Sequence, residues 1–325
     1  MFFEAVRRLT PVWIKQAVPP RLKDRLRPRE QSLPLPSPSE PYLRDLLGRY
    51  QTKDLVNEDP QAFRKRIEQF LEICDHRMEG FDHPEKQRDL SVRFHWGHDH
   101  DFGDFFLKGS LGDSHIRLIA TFLDRLDELP RCLENKRVLD IGCWTGSTSL
   151  LLCAMGAEVV AVDEVRKYVD CLSYLKHAFG LDRLHPKNLS LYECTTSEFQ
   201  DAFDLVLFAG VLYHVTDPIL ALRITFNCLK DGGKCLVETA VDETSERILA
   251  YEGPSVVRGG SVEDASRTGW NWLIPSLPTL TQMMADVGYS RVVGCHQPVH
   301  RAYAVGTRQA HQDLMRGGLS VRTIR

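Results

Sequence analysis

Residues 137–146 read RVLDIGCWTG, and the reading of this stretch decides the fold. Val138, Leu139 and Ile141 form a short apolar run suited to a buried parallel strand. Gly142 and Gly146 then open a tight turn into the helical-looking STSLLLCAM. Glycine lets a backbone approach a ligand closely, so a strand, a glycine turn and a helix N-terminus together make a nucleotide site. A Gly-x-x-x-Gly turn is weak evidence by itself; the next strand strengthens it. GAEVVAVD places Asp163 at a carboxyl end, 23 residues after Asp140. An acid at that position can accept both hydroxyls of a ribose.

The alternation continues downstream. YVDCLSYLKHAFGL reads as a helix ending near Gly180, LSLYECT as the third strand and FDLVLFA as the fourth. GGKCLVETAV, after the turn at Asp231 to Gly233, is the fifth strand. A helix over Thr279 to Val287 follows, and YSRVVGC with HRAYAVGTR reads as a closing hairpin. The predicted fold is α/β: a Rossmann-like, mostly parallel sheet covered on both faces, with an antiparallel C-terminal edge hairpin and a helical N-terminal extension. An irregular insertion over 242–272 carries Gly259, Gly260, Trp270 and Trp272.

Upstream, residues 1–27 combine Phe2, Phe3, Leu9, Trp13 and Ile14 with several arginines and lysines. This basic amphipathic segment suits peripheral contact with an anionic membrane surface or RNA, or simple packing on the domain. A proline-rich linker extends to Pro41. Residues 42–113 form a helical lid extension, 114–310 the main domain and 311–325 a tail. Within the extension, FHWGHDHDFGDFFLKG (94–109) invites a metal reading. Alternating His98, Asp99, His100 and Asp101 would point apart in a strand, so no metal is expected. A hairpin or loop over the site, closed by Lys108 and Gly109, fits better.

A net charge of -3 supplies no overall basic field for nucleic acid. Nine cysteines, odd in number and without paired metal spacing, fit reduced thiols in a cytoplasmic protein. Neither a membrane-spanning run nor a signal-peptide pattern is expected, and no internal repeat is visible.

DIGCWTG together with Asp163 resembles the glycine-rich first motif and ribose-binding acid of class I S-adenosylmethionine-dependent methyltransferases. A dinucleotide dehydrogenase would more naturally show Gly-x-Gly-x-x-Gly without the preceding acid. FDLVLFAGVLYHVTDPILAL, GGKCLVET and NWLIPSLPTLTQMMADVGY narrow the resemblance. They are similar to the bacterial family that includes the tRNA wobble-uridine (5-oxyacetic acid) carboxymethyltransferase, which uses carboxy-S-adenosylmethionine. The resemblance implies that Tyr213 lies near the transferred group and that Arg301 holds the donor's extra carboxylate. Trp144 departs from it by occupying a usual glycine position. The segment Phe105 to Lys108 lacks the family's tryptophan-rich match, and Arg93 is the nearest substitute for an expected lysine.

The expected cofactor is S-adenosylmethionine, with carboxy-S-adenosylmethionine as the alternative. The residues expected to bind it are Asp140, Gly142, Trp144, Gly146, Asp163, Glu164, Cys194, Thr195 and Gly210. Tyr213, His214 and Arg301 are the expected catalytic group, His214 either as a general base or as a loop-orienting residue. Lys108, Glu238 and Trp272 are expected on the acceptor side. Glu238 has a second reading as the partner of an arginine, and Trp272 as the cover of a core. The expected reaction is methylation of a small-molecule acceptor, oxygen favoured. Carboxymethylation of tRNA and a non-catalytic nucleotide-binding module are the alternatives.

Overall fold

The computed structural model describes residues 37–73, 94–252, 271–297 and 300–309. The chain divides into two units, Met1–Leu35 and Pro36–Arg325. The basic segment 1–27, the tail 311–325, Arg93, Gly259, Gly260 and Trp270 lie outside the described residues.

Five parallel strands make the body of the sheet: β3 (Arg137–Ile141), β4 (Glu158–Asp163), β5 (Leu184–Asn188), β6 (Phe203–Ala209) and β7 (Leu229–Ala240). A separate antiparallel pair, β8 (Leu249–Tyr251) with β9 (Leu273–Pro275), follows β7. The hairpin β10 (Tyr289–Gln297) and β11 (Arg301–Arg308) continues the main sheet antiparallel, giving the order β10-β11-β7-β6-β3-β4-β5. Valine, leucine and isoleucine fill β3, β4 and β6 because these strands are covered on both faces. The helices α4 (Ser147–Ala154) and α5 (Arg166–Ala178) pack on one face, α6 (Pro218–Cys228) and α7 (Leu277–Val287) on the other. Helix α7 starts where the Ser276 side chain accepts from the Thr279 amide and ends at Gly288, whose φ of 120° stops it.

The order reverses between β3 and β6, so the exits of these two strands open side by side. A crevice at such a switch point is where open α/β sheets bind ligands.

The third strand differs from the expected one. LSLYECT is not in the sheet; the strand is β5, LHPKN, just before it. Ser190 and Glu193 form a reciprocal capping box that winds Leu191–Glu193 into a 3-10 turn instead. The fifth strand also begins earlier than expected, at Leu229, and runs through Asp231 to Gly233.

The helical extension is part of the main core. Helix α1 (Glu40–Leu47) buries Leu43 and Leu46, and α2 (Pro60–Leu71) buries Phe63, Ile67 and Phe70. Asp59 caps α2 by accepting from the amides of Gln61 and Ala62, with Pro60 at the first position. Phe63 stacks on Tyr174 at 5.8 Å and meets Phe102 and Phe179 edge-on at 5.2 and 5.5 Å. One aromatic cluster therefore joins the extension to α5 and to the 94–112 segment. That segment forms the expected hairpin, β1 (His100–Asp101) with β2 (Phe106–Leu107).

The folded part also starts before Tyr42. Ser39 is fully buried at the start of α1, although the linker was expected to reach Pro41. Its amide and hydroxyl donate to Asp124 at 2.8 and 2.5 Å, and the Ser37 hydroxyl donates to the same carboxylate. Asp124 lies in the turn after α3 (Ser114–Ala120). Asp124→Ala leaves these buried donors unpaired and is expected to cost about 1–3 kcal/mol in urea denaturation. Asp124→Asn should cost less, since one acceptor oxygen survives.

Candidate functional site

The turn after β3 is built from left-handed residues. Gly142, Trp144 and Gly146 have φ of 75°, 51° and 83°. The two glycines have no room for a side chain. A Cβ at Gly142 would stand 2.4 Å from Val211, and one at Gly146 would stand 2.2 Å from Leu172. Trp144 holds a conformation that costs a residue with a side chain about 1–3 kcal/mol and that a glycine would adopt freely.

Asp163 holds that conformation in place. One carboxylate oxygen accepts from the Trp144 amide and the other from the Val165 amide, both at 2.9 Å. The amides of Gly142 and Cys143 donate to the Val162 carbonyl at 2.8 and 3.1 Å. Asn188, which sequence reasoning missed, donates from Nδ2 to the carbonyls of Asp163 and Glu164. Its signal is position: it ends the strand next to Asp163. Asp163 and Glu164 are both half-buried.

Asp140 sits deeper than a ligand-facing acid. It is 3% exposed and accepts from the Ser149 hydroxyl at 2.6 Å, tying β3 to α4. Burial pushes its carboxyl up to about 6, against the opposing effect of the Ser149 bond.

On the other side of the switch point, Gly210 has φ of 73° and donates its amide to the Glu238 carbonyl at 3.0 Å. A Cβ there would meet only the Tyr213 hydroxyl, at 4.0 Å, so this strand end is open. Tyr213 and His214 are half-buried in a 3-10 turn (Leu212–His214), with ring centroids 4.1 Å apart. The Trp272 amide donates to the Tyr213 carbonyl at 2.8 Å, which brings the 242–272 insertion to the site.

Glu238 and Arg301 meet as a bidentate pair. Arg301 Nε donates to Glu238 Oε1, and an Nη donates to Oε2 at 2.6 Å. Arg301 lies opposite Ala240 and Tyr303 opposite Glu238, so the pair is a diagonal across β7 and β11. The guanidinium also lies 4.9 Å from the Tyr213 ring centroid. Burial works against its charge, but Tyr213 and Glu238 outweigh it and hold the guanidinium above its ordinary range.

The structure thus gathers Gly142, Trp144, Gly146, Asp163 and Glu164 at one strand exit. It gathers Gly210, Tyr213, His214, Glu238, Trp272 and Arg301 at the next. Four expected residues stand apart: the buried Asp140 and three others. Cys194 is 1% exposed and its thiol turns to the Ser190 carbonyl at 3.7 Å, in the 3-10 turn rather than at a strand end. Thr195, half-buried beside it, accepts at its carbonyl from Gln200. Lys108 is exposed after β2 and makes no hydrogen bond or ion pair with the Tyr213 group.

His98 was singled out in the sequence only as one of the four alternating residues. Its ring stands 5.6 Å from Trp144 and 4.6 Å from His115, and the neighbouring Gly97 amide donates to Thr145 at 3.0 Å. The hairpin segment therefore rests on the glycine turn. Among the described residues, no group of three or more histidines, cysteines or acids is placed to hold a metal. No described helix is long and apolar enough to cross a membrane.

Residues 114–293 match the methyltransferase domain family. The chain belongs to that family. The tRNA U34 carboxymethyltransferase of Pseudomonas putida (strain W619) is 30% identical over 171 residues, which are 49% of this chain and 47% of the relative. The enzyme of the same name from Alteromonas mediterranea is 26% identical over 172 residues, 52% of this chain and 49% of the relative. The chain thus spans about half the length of the curated relatives it matches. The crystal structure of the N-terminal domain of EvdMO1 with SAH bound superposes with a TM-score of 0.52 at 15% identity, covering 78% of this chain and 98% of that one. At that identity the likeness shows a shared fold.

The raised carboxyl of Asp140 makes a pH prediction. Its folded pKa of about 6 lies above the ordinary 3.8, so the folded protein favours the protonated form. The stability contributed by this group is full below about pH 4 and is lost as pH rises through about pH 6, by about 3 kcal/mol. Asp140→Asn should remove this part of the slope in urea melts across that window. An unchanged slope would place Asp140 in a charged, solvated setting.

Proposed function

We propose that this protein is a cytosolic S-adenosylmethionine-dependent methyltransferase that methylates a hydroxyl of a small molecule. The choice of donor rests on the Glu238–Arg301 pair. A carboxylated donor brings an additional negative charge beside its sulfonium, and a closed site must pair that charge. In this chain Arg301 is already engaged by both oxygens of Glu238, and a second carboxylate there would face Glu238 itself. The overall charge of -3 is a poor match for tRNA. The eight described cysteines are free, as in a reducing compartment.

The glycine turn fits an adenosyl cofactor. Gly142 and Gly146 keep the backbone bare, and Gly210 leaves the neighbouring strand end open. Asp163, at the exit of β4 beside the turn, is the acid placed to accept from ribose hydroxyls. Trp144 and Glu164 flank that position. When bound, S-adenosylmethionine supplies a methyl carbon already activated for displacement. The protein's share is alignment and proton removal. Tyr213, steadied by Arg301 and the Trp272 amide, orients the acceptor. A ring nitrogen of His214 would take the acceptor's hydroxyl proton and so make its oxygen nucleophilic toward the donor.

Competition binding with both donors tests this reading. Ordinary S-adenosylmethionine should bind at least as tightly as the carboxylated form. Glu238→Gln, which frees the guanidinium, should shift the preference toward the carboxylated form by about tenfold (~1.4 kcal/mol). A wild-type preference of that size for the carboxylated donor, abolished by Arg301→Ala, overturns the reading. Asp163→Ala should weaken either donor about tenfold or more, because charge-assisted bonds are lost. Donor binding without consumption of labelled donor in any extract would point to a non-catalytic nucleotide-binding module.

A further inference from the structure

Asn188 ends the edge strand β5, directly opposite Asp163 in the parallel pairing with β4. It is half-buried beside the point where the chain leaves β4 for α5. Its Nδ2 donates to the Asp163 carbonyl at 3.0 Å and to the Glu164 carbonyl at 2.9 Å. The Leu189 amide adds a second bond to the Asp163 carbonyl, at 3.2 Å.

Two features set this contact apart from an ordinary strand-end bond. The first is geometric. Carbonyls of successive residues in a strand point toward opposite edges of it. One nitrogen therefore reaches two of them only where the strand has ended and the chain has turned. Asn188 holds that turn, and with it the peptide that joins Asp163 to Glu164. The second is chemical. A primary amide carries two hydrogens on one neutral nitrogen, which matches two carbonyls at once. Alanine offers neither hydrogen, and an aspartate of the same shape would set an acceptor against two acceptors.

The peptide so held also aims the Asp163 carboxylate. Its oxygens accept from the Trp144 and Val165 amides, both at 2.9 Å, and that reach depends on where β4 ends. A rotation of the 163–164 peptide would swing the carboxylate away from both amides and move Glu164 with it. The side chain in front of the crevice is thus fixed by an amide behind it, on the neighbouring strand.

We propose that Asn188 is a positioning residue for ribose recognition, holding the exit of β4 so that the Asp163 carboxylate meets the ribose hydroxyls of the cofactor. The inference rests on the reading of Asp163 as the ribose-binding acid. Asn188 acts through Asp163 and takes no part in the transfer itself.

Calorimetry on the full chain with S-adenosylhomocysteine and its 2′-deoxy analogue tests it. The unsubstituted protein should bind the ribose form about tenfold more tightly or more, because a hydroxyl bond to a carboxylate is charge-assisted. Asn188→Ala and Asn188→Asp should each bring that ratio down to about threefold or less. The aspartate variant keeps the shape of the side chain and serves if the alanine variant loses its circular-dichroism melt. Asn188→Gln, which keeps the amide donor, should retain more of the ratio than either. A contact that only stabilises the fold would weaken both ligands alike; an unchanged ratio in the alanine and aspartate variants overturns the proposal. A ratio near one in the unsubstituted protein would instead overturn the ribose role of Asp163, and this inference with it.

Discussion

The Asp163 carboxylate is the constraint on which the site depends. It ends β4, and its two oxygens hold the amides of Trp144 and Val165. Without these bonds a tryptophan has no reason to stay left-handed, and the turn after β3 loses its shape. The same carboxylate ties the start of α5 to the sheet. Parallel pairing of β3 with β4 brings the two strand ends together, and the Val162 carbonyl finishes the joint by accepting two amides from the turn. An acid that reads in sequence as a ligand for a ribose is therefore also the brace of the loop that would surround it.

Much of this was legible. The apolar runs of β3, β4 and β6 can only be buried parallel strands, and the paired segments at the C-terminal end could only close as a hairpin. The third strand was misplaced for a physical reason. β5 lies at the sheet edge, where LHPKN tolerates polar residues and a proline, so its composition carries little strand signal. The apolar LSLYECT following it looks more like a strand, yet the Ser190–Glu193 capping box decides its backbone locally. Contacts between remote segments were not legible at all. Neither the meeting of His98 with Trp144 and His115 nor the hold of Asp124 on Ser39 follows from spacing, since each joins elements through the tertiary fold.

The Glu238–Arg301 pair is an intermediate case. Glu238 has two readings in sequence, and the sheet register selects its pairing with an arginine by placing it diagonally from Arg301 on one face. Removing either partner strands a largely buried charge, while the intact pair contributes far less to stability than its short distances suggest. Its importance lies in what it does to the pocket. It turns the most basic group at the crevice into a neutral wall under Tyr213, so the site presents shape and hydrogen bonds rather than net charge.

The position of β11 carries a consequence for how the protein is made. It comes after β10 in the chain yet lies between β10 and β7, so it is inserted inside the sheet rather than added at its rim. During synthesis, β3 to β7 emerge first, and the glycine turn with its brace can assemble from them alone. Glu238 then waits, with its charge facing water, until Arg301 leaves the ribosome and pairs with it. The Asp163 brace and the Glu238–Arg301 pair are thus completed at different points of synthesis, and the edge of β7 that β11 covers is open in the interval.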